Sequence, residues 1–306
     1  MIAAVVVTFS APAEMLEACL ASLRRCREID LVIVVDTGGR ADPSDPDVRL
    51  IRVSNRGYGA AANAGIRIAR AAGADMIALL NDDVEVRSDW MPPLVAALTD
   101  DTAPERIGAA QPMLLAANRE QVNSLGVRIG ADGAGVDIGI GGDPPLQPFV
   151  AELDLFTGGA VLFSAEFLAA VGGFDERYFL YYEDVDLARR GSELGWTYRI
   201  VTASVVHHVG GASTGALGDR TRFLQERNRL WAAFRFADAA TIGGAVWLSV
   251  RRLRHRPHGV HARALAFGML GAPARVVERA RARRLRRTPS VGLDAERVDG
   301  GPQRPW

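Results

Sequence analysis

Continuous apolar runs alternate with helix-like segments along the N-terminal part of this chain. The runs are rich in β-branched residues and are not interrupted by polar positions, which is typical of strands buried on both faces. The predicted strands are Ile2–Val7, Leu31–Val35, Val48–Val53 and Met76–Leu80, and the predicted helices are Ala11–Arg27 and Ala60–Ala72. This order predicts an α/β fold with a mostly parallel central sheet that is flanked by helices.

Each of these predicted strands is followed by polar residues. They are Thr8, Asp36, Ser54–Gly57 and Asn81–Asp83. The carboxyl ends of parallel strands meet at one edge of the sheet, where α/β proteins bind their ligands. The pattern therefore predicts a single ligand site at this edge.

The second half of the chain is less regular. Recurrent glycines over residues 100–142 predict turns and short strands. Further predicted elements are the strand Leu155–Ser164, a helix from Glu183 to about Gly195, the strand Thr197–Val206, and basic helices after Gly215. We therefore expect an α/β domain over residues 1–214 and a basic helical C-terminal extension over residues 215–287. The Pro- and Gly-rich residues 288–306 are expected to form a disordered tail.

The net charge is zero, but the charges are unevenly distributed. Residues 1–214 contain 17 Arg and 29 Asp and Glu, whereas residues 215–306 contain 19 Arg and 7 Asp and Glu. The basic part is expected either to contact an anionic membrane surface or to pack as an Arg-rich cap on the acidic body. Its Arg clusters lack a recognisable nucleic-acid-binding module, which argues against a nucleic-acid partner.

Composition excludes several kinds of chemistry. The chain contains no Lys, so a lysine Schiff base and a Walker-type phosphate-binding lysine are both excluded. Cys19 and Cys26 lie too far apart on one predicted helix for a disulfide, which is typical of a reducing compartment. We recognise no signal peptide and no uncharged run of membrane-spanning length. These features predict a cytoplasmic protein, either free or peripheral at the inner face of the cell membrane.

A dense carboxylate cluster follows an aromatic run at Glu183-Asp184-Val185-Asp186. Aromatic side chains favour the interior and carboxylates favour the surface, so this junction predicts a carboxylate held at a cavity wall. Burial and neighbouring negative charge make such a carboxylate more basic, as a proton-abstracting base requires. Taken alone, the same cluster would more often mark a helix start, because acidic residues favour the helix N-terminus.

Glycines recur between Asn55 and Gly65, where a predicted strand leads into a helix. Backbone N–H groups in such a loop can approach a diphosphate, and Arg56 could add a charge-assisted bond. Asn63 lies on an otherwise apolar helix and must find polar partners. The alternative is an ordinary turn between strand and helix.

Two further clusters could hold a divalent cation. The carboxylates of Asn81-Asp82-Asp83 follow a buried strand, a position suited to a metal beside substrate phosphates. The pair His207-His208 ends a later strand and offers a neutral imidazole as a ligand. Each cluster alone is more often structural, as an acidic turn or a hydrogen-bonding histidine pair.

In order and spacing these segments resemble the family 2 inverting glycosyltransferases of the GT-A fold, especially the bacterial rhamnosyltransferase-like branch. The resemblance extends over roughly residues 3–230. The matching segments are Val5–Phe9, Val34–Asp36, Asn55–Gly65, Leu79–Val84, Thr157–Ala160, Gly172–Glu176, Glu183–Leu187 and His207–Gly211. The sequence departs from the family pattern at Asn81, where the metal motif usually begins with Asp, and at Asp36-Thr37-Gly38-Gly39, where Asp-Asn-x-Ser is usual.

The resemblance implies a role for each matching residue. Asp184 would be the catalytic base that deprotonates the acceptor hydroxyl. Asp83 would bind Mg²⁺ or Mn²⁺, and His207 would complete the metal site. The residues expected to contact the nucleotide-sugar are Thr8, Asp36, Asn55, Arg56, Gly57, Asn63, Asn81 and Asp82.

The resemblance also implies a reaction. A sugar would pass from dTDP-rhamnose or a UDP-sugar to a hydroxyl of a cell-envelope glycan or polyprenyl-linked acceptor, with inversion at the anomeric carbon. The alternative enzyme is a sugar-nucleotide nucleotidyltransferase, whose early Gly-rich loop and basic residue do not follow the first strand here. The alternative without catalysis is an inactive sugar-nucleotide-binding protein, against which the intact Asp83, Asp184 and His207 speak. The oligomeric state stays open, a homo-oligomer included.

Overall fold

The computed structural model describes residues 1–117, 120–208 and 218–287. Its strands are β1 (Ile2–Thr8), β2 (Leu31–Asp36), β3 (Arg49–Arg52), β4 (Met76–Asn81), β5 (Val84–Val86), β6 (Arg106–Leu115), β7 (Val122–Ser124), β8 (Val127–Ile129), β9 (Gly135–Asp137), β10 (Val150–Leu153), β11 (Ala160–Ser164) and β12 (Trp196–His208). Its helices are α1 (Ala13–Leu23), α2 (Tyr58–Ala71), α3 (Met91–Leu98), α4 (Ala165–Val171), α5 (Glu183–Glu193), α6 (Asp219–Phe236), α7 (Ala239–Arg252) and α8 (His258–Arg287).

One large sheet runs through the protein in the order β10-β12-β6-β11-β4-β1-β2-β3. The strands β3, β2, β1 and β4 are parallel, and Thr8 pairs directly with Asp36, so their carboxyl ends lie at one edge. The strand β11 runs antiparallel between β4 and β6, and β12 runs parallel to β6. The predicted α/β fold with parallel strands at its centre is confirmed, and an antiparallel strand joins its two halves.

Both faces of the sheet are covered by helices. Helices α2, α4 and α5 cover one face over a core that includes Phe163 and Phe167, and α1 and α3 cover the other over Leu20 and Trp90. These side chains are essentially fully buried. Because burial of a large apolar side chain contributes about 2–3 kcal/mol, these two layers hold the edge residues in place.

Two details of the second half differ from the sequence prediction. The region 100–142 contains β6, a ten-residue strand that is buried along almost its whole length and lies at the centre of the second half. The strand predicted at Leu155–Ser164 begins only at Ala160, because the preceding residues Thr157–Gly159 form a connecting segment. That segment lies at the site described below.

The C-terminal helices pack against the α/β body through buried ion pairs. Arg275 of α8 lies 2.9 Å from Asp175, and Arg235 of α6 lies 2.9 Å from Glu193, with both guanidinium groups buried. Breaking a buried pair of this kind typically costs about 3–5 kcal/mol, so the contact is firm. The inner faces of α6 and α8 thus form the predicted Arg-rich cap.

Within the described ranges, no helix is both long enough and apolar enough to cross a bilayer. The predicted disordered tail at 288–306 lies outside the described residues, as does the end of the matching segment His207–Gly211.

Candidate active site

A cavity of about 380 Å³ lies at the carboxyl ends of β1 and β4, and we call it the donor cavity. Its volume is in the range of small-molecule sites. Five of the predicted site residues line it: Asn55, Gly57, Asn81, Asp82 and Asp83. Its wall also includes Phe9, Thr37, Tyr58, Phe179, Leu180, Arg220 and Leu224. The structure therefore brings the polar ends of three predicted strands to one cavity.

The loop before α2 requires glycine at position 57. Gly57 has a φ of 98°, and a Cβ there would lie 2.1 Å from the carbonyl oxygen of Phe179. The N–H of Gly57 donates to Oδ1 of Asn55 at 3.1 Å, and the N–H of Tyr58 donates to Phe179 O at 2.7 Å. These two N–H groups are thus engaged within the protein, unlike the free amides that the sequence predicted for a diphosphate. The loop instead fixes the position of Phe179 at the cavity.

Thr8 supports the cavity from behind its wall. The Thr8 side chain is buried and hydrogen-bonds to the carboxylate of Asp82, which faces the cavity. Burial raises the pKa of Asp82 above its usual value, although the bond to Thr8 acts in the opposite direction. The carbonyl of Thr8 accepts bonds from the N–H and hydroxyl of Thr37, which lines the cavity. Thr8 therefore positions two cavity residues.

Asp36 lies outside the cavity lining. Its Oδ1 accepts the N–H groups of Gly38 and Gly39 at 2.8 Å, and its Oδ2 accepts the N–H of Ala41 at 2.9 Å. The side chain is buried, and three charge-assisted bonds occupy it. Asp36 therefore shapes the loop that carries Thr37, and its predicted contact with the nucleotide base stays a prediction.

Arg56 and Asn63 also point to protein partners and not into the cavity. Arg56 Nη2 lies 2.8 Å from the Glu176 carboxylate. Asn63 donates to Phe174 O and to Glu176, and its Oδ1 accepts the Phe174 N–H at 2.9 Å. The partly buried Asn63 thus finds the partners that the sequence required. It ties α2 to the segment that leads into the aromatic run.

The structure places His208, not His207, beside Asp83. Nε2 of His208 lies 3.2 Å from Oδ1 of Asp83, and Nδ1 lies 3.0 Å from Oδ1 of Asn123. Successive side chains of a strand point to opposite faces, so His207 faces away from Asp83. Burial alone would lower the pKa of His208, but the contact with Asp83 and its negative charge outweigh burial and raise it.

Asp83 and His208 fit two ligands of a divalent cation. Oδ1 of Asp83 is buried and has no assigned hydrogen-bond partner among the described residues, although Nε2 of His208 lies 3.2 Å away. Two neighbouring ligands at roughly 2.1 Å from an octahedral cation lie roughly 3.0 Å apart, close to the observed 3.2 Å. Among the described residues no group of three His, Cys, Asp or Glu side chains converges. Further ligands would have to come from a bound diphosphate and water.

Asp184 is held by backbone N–H groups near the N-terminus of α5. Its Oδ2 accepts the N–H of Gly158 at 3.0 Å, and its Oδ1 accepts the N–H of Val185 at 2.8 Å. Burial raises its pKa above the usual value, the two N–H donors act in the opposite direction, and the charge of Asp137 raises it further. The residue is still partly exposed. This is a carboxylate with increased basicity that a substrate can reach.

Tyr58 connects Asp184 to the donor cavity. The Tyr58 hydroxyl donates to Gly158 O at 2.9 Å, and the N–H of the same glycine holds Asp184. The next residue, Gly159, accepts the N–H of Asn81 at 3.0 Å. The Gly158–Gly159 segment therefore lies between the metal-motif strand and the catalytic candidate.

The other two carboxylates of the cluster are placed differently. Asp186 is buried and lies 2.6 Å from Arg190, so it forms an internal ion pair. Glu183 is also buried, and within the described part of the chain its Oε2 has no hydrogen-bond partner. Burial, followed by the charge of Asp184, raises the pKa of Glu183 from 4.5 to about 8.

We expect Glu183→Gln to stabilise the protein at alkaline pH. A raised folded-state pKa means that the stability due to this carboxyl is full below about pH 4.5 and is lost as the pH rises through about 8. The free energy of unfolding of the variant should exceed that of the wild type by roughly 3–5 kcal/mol at pH 9, and by much less at pH 5. Urea unfolding at both pH values measures this. Glu152→Gln, at an exposed carboxylate on β10, is the control. An unchanged pH dependence in Glu183→Gln would contradict the assignment.

The aromatic run before α5 has an unusual backbone. Phe179, Tyr181 and Tyr182 all have positive φ values of 68–69°, which cost about 1–3 kcal/mol each in residues other than glycine. The Nδ2 of Asn228 on α6 donates to the carbonyls of Tyr178, Leu180 and Tyr181 at 2.7–2.9 Å. The C-terminal helices thus hold the strained run that delivers Asp184. The role of Asn228 was not predicted, because an amide within a polar helical segment gives no signal of its buried position.

Asp137 and Asn123 were also missed, because both lie in the irregular region 100–142. Asp137 hydrogen-bonds to Ser124 and carries a charge that acts on both Asp184 and His208. Burial raises the pKa of Asp137 itself. A polar residue in a short strand gave no sequence signal for this role.

Comparison with known sequences points to one family. The model for "Glycosyl transferase family 2" matches residues 3–104. The N-acetylglucosaminyl-diphospho-decaprenol L-rhamnosyltransferase of Mycobacterium tuberculosis (strain ATCC 25618 / H37Rv) is 30% identical over 234 residues, which cover 67% of this chain and 75% of that protein. The protein of strain CDC 1551 / Oshkosh matches to the same extent.

Comparison with solved structures gives the same fold. The crystal structure of GalNAc-T7 with UDP, GalNAc and Mn²⁺ has a TM-score of 0.61 at 13% identity; the match covers 90% of this chain and 57% of that one. The mannosyltransferase PcManGT from Pyrobaculum calidifontis, in complex with GDP-Man and Mn²⁺, has a TM-score of 0.52 at 16% identity, over 92% of this chain and 84% of that one. The predicted GT-A glycosyltransferase fold is confirmed.

Proposed function

This chain is a member of glycosyl transferase family 2, and we propose that it transfers a rhamnosyl group, with inversion, to a polyprenyl-diphosphate-linked sugar. The rhamnosyltransferases of Mycobacterium tuberculosis, whose name specifies an N-acetylglucosaminyl-diphospho-decaprenol substrate, support this acceptor class. The donor is dTDP-rhamnose, with a UDP-sugar as the alternative. The chain's own residues support the reaction through Asp83, which lines the donor cavity, and Asp184, which is linked to the cavity residue Tyr58 through Gly158.

The observation that carries the proposal is the path from Asp83 to Asp184. On one side Asp83 and His208 form a pair suited to a cation, and Asp83 lines the donor cavity. On the other side Asp184 is held by Gly158, which in turn accepts the hydroxyl of the cavity residue Tyr58. In an inverting transfer the acceptor oxygen attacks the anomeric carbon on the face opposite to the departing diphosphate, so the base and the cation act on opposite sides of the sugar.

Asp184 acts as the general base in the proposed mechanism. Its carboxylate takes the proton of the acceptor hydroxyl while the oxygen attacks the anomeric carbon and the bond to the diphosphate breaks. Gly158 and Val185 orient the carboxylate without neutralising it. Such general-base assistance contributes about 10²–10⁴ in rate.

The departing diphosphate needs positive charge, and two sources support this step. A divalent cation such as Mg²⁺ or Mn²⁺, held by Asp83 and His208, would neutralise the leaving group. Both solved structures named above contain Mn²⁺. Arg220 also lines the donor cavity, with its guanidinium 4.5 Å above the ring of Phe179. Arg220 can supply positive charge to the diphosphate, because the N–H groups of Gly57 and Tyr58 are already bonded within the protein.

The test is a transfer assay with dTDP-rhamnose or UDP-sugars, Mg²⁺ or Mn²⁺, and a short prenyl-diphosphate-linked N-acetylglucosamine. We expect metal-dependent release of a nucleoside diphosphate and one added sugar of inverted anomeric configuration. Release of pyrophosphate would instead indicate a nucleotidyltransferase. Donor binding without turnover would indicate an inactive sugar-nucleotide-binding protein.

We also propose that the outer face of α8 rests on an anionic membrane. Phe267, Leu270 and Val277 follow one another at helical spacing there and are 50%, 76% and 49% exposed. Arg263 and Arg281 flank this apolar stripe and are exposed. The acidic residue of α8, Glu278, is instead directed toward Arg177 and Arg275 of the protein. Apolar residues between arginines, without an exposed carboxylate, match an anionic lipid surface.

Vesicle co-sedimentation tests this surface. The wild-type protein should sediment with vesicles that contain phosphatidylglycerol at low salt, and Leu270→Ser with Val277→Ser should weaken binding roughly tenfold. Leu146→Ser, at a fully exposed leucine elsewhere, should leave binding unchanged. Equal binding by all variants would contradict the proposal. The proposal would also be contradicted if the wild type were a dimer and the double variant a monomer, because the outer face of α8 would then contact a second copy of the chain.

A further inference from the structure

A second cavity of about 580 Å³ adjoins the donor cavity, and we call it the arginine chamber. Phe179, Arg220 and Leu224 belong to the linings of both cavities, so one wall separates them. Phe179 is also the residue whose carbonyl is fixed by the glycine loop. Phe179, the first residue of the strained run that leads to Asp184, therefore also forms part of the chamber wall.

The arginine chamber carries excess positive charge. Arg220 and Arg263 face it over aromatic rings, at 4.5 Å from Phe179 and 5.6 Å from Phe223, and neither has a carboxylate partner among the described residues. Arg227 lines it too, and burial followed by the charge of Arg275 lowers the pKa of Arg227 to about 10.

The carboxylates of the chamber only partly balance this charge. Glu176 already pairs with Arg56 outside the chamber, and Arg177 is paired with Asp175 and Glu278. Asp219 is the remaining carboxylate of the chamber, and it shares the lining with Arg220, Arg227 and Arg263. Such a chamber suits an anion with more than one negative charge.

One wall of the chamber leads to an apolar surface. Phe223 lines the chamber, and its ring lies 5.8 Å from that of Phe267, edge to face. Phe267 is half exposed and begins the apolar stripe of α8. The arginine side chains of the chamber thus lie next to an apolar surface formed by Phe223 and Phe267. This arrangement suits an amphiphile with an anionic head group.

We propose that the arginine chamber binds the diphosphate of the lipid-linked acceptor, with the start of the lipid chain against Phe223 and Phe267. The inference rests on the proposed function, since it places that acceptor beside the donor. The acceptor's sugar then passes Phe179 toward Asp184. Arg263 lines this chamber and not the donor cavity, whereas Arg220 lines both cavities. Arg227 also lines the chamber alone, but it already donates to Asn228 and to the carbonyl of Tyr178.

Binding of geranyl diphosphate, measured by isothermal titration, tests the chamber without turnover. The donor cavity is first filled with Mg²⁺ and saturating dTDP or UDP, whichever stabilises the protein against heat. Arg263→Gln should bind geranyl diphosphate about tenfold more weakly than the wild type, because a charge-assisted contact is lost. Arg254→Gln, an exposed arginine of the same extension outside the chamber, should bind it normally. Equal affinity in Arg263→Gln and the wild type would overturn the proposal.

A second variant separates lipid from free diphosphate. The wild type should bind geranyl diphosphate more tightly than inorganic diphosphate, and Phe267→Ser should remove most of this difference. Equal affinity of the wild type for the two probes would overturn the lipid part of the proposal. The transfer assay tests the proposed reaction separately from this site. If geranyl diphosphate binding depends on Arg263 but no glycosyl transfer is detected, the proposed reaction is rejected and the site for an anionic amphiphile is retained.

Discussion

Asp184→Asn is expected to lower the turnover number by about 10²–10⁴ while the affinity for the donor changes less than twofold. Asn preserves the shape of the side chain and can still accept the N–H of Gly158, so the local fold should persist. It cannot accept a proton at physiological pH. Steady-state kinetics with saturating acceptor, together with donor binding by titration, measures both quantities.

Glu183→Gln is the matched control for this prediction. Glu183 is adjacent, has a raised pKa and is buried without a hydrogen bond to one of its oxygens, so it is the competing candidate for a base. We expect its variant to retain most of the turnover, because Glu183 is buried whereas Asp184 is partly exposed. Loss of turnover in Glu183→Gln with retention in Asp184→Asn would contradict the assignment.

The pH profile adds an independent readout. Burial raises the pKa of Asp184, so the acidic limb of the turnover profile should lie above the ordinary pKa of an aspartate, 3.8. Turnover rises with pH through this limb because the base must be unprotonated. Asp137→Asn removes a charge that raises this pKa, so the limb should move to lower pH.

The edge of the sheet could be predicted from the sequence because its geometry is a general rule. Buried parallel strands align their carboxyl ends. Asn55 follows one predicted strand, and Asn81 and Asp83 follow another. Neither the apolar runs nor their polar ends depend on distant contacts. This part of the prediction therefore needed only local pattern.

The roles of Asp36, Arg56 and Asn63 could not be read in the same way. The polar partners of Asn63 lie 111 and 113 residues away, and Arg56 pairs 120 residues away. A polar residue beside a ligand loop has the same local pattern whether it contacts a nucleotide or the protein. Only the tertiary fold decides between them.

The strand β6 was missed because its sequence is a poor strand former. It contains Gly108, Ala109, Ala110 and Pro112, residues of low strand propensity. The structure explains the glycine, since a Cβ at Gly108 would lie 2.6 Å from the ring of Phe167. Gly108 leaves room for the ring of Phe167 on α4, and this requirement cannot be seen in the sequence of the strand itself.

The choice between His207 and His208 depends on the register of β12. Its pairing with β6 shifts between Val201 and Val205, so the alternation of side chains cannot be counted from the start of the strand. The pairing of His208 with Val84 in β5 places its ring next to Asp83. The histidine pair could thus be found from the sequence, but which of the two lies beside Asp83 could not.

His208→Ala and Asp83→Asn should each weaken metal-dependent donor binding by about 100-fold or more, because each removes one of two protein ligands. His207→Ala should retain binding within a fewfold, since its ring lies on the other face of β12. The measurement is the thermal stabilisation by dTDP or UDP as Mn²⁺ is titrated, with the bound Mn²⁺ followed by electron paramagnetic resonance.

The three variants together separate a metal site from a structural contact. If Asp83 and His208 only stabilise each other, both variants lower the melting temperature but leave the Mn²⁺ dependence of nucleotide binding unchanged. If His207 is the ligand, as the sequence predicted, His207→Ala loses the Mn²⁺ signal and His208→Ala keeps it. If Asp83 and His208 share a metal, Asp83→Asn and His208→Ala both lose the Mn²⁺ signal, and His207→Ala keeps it.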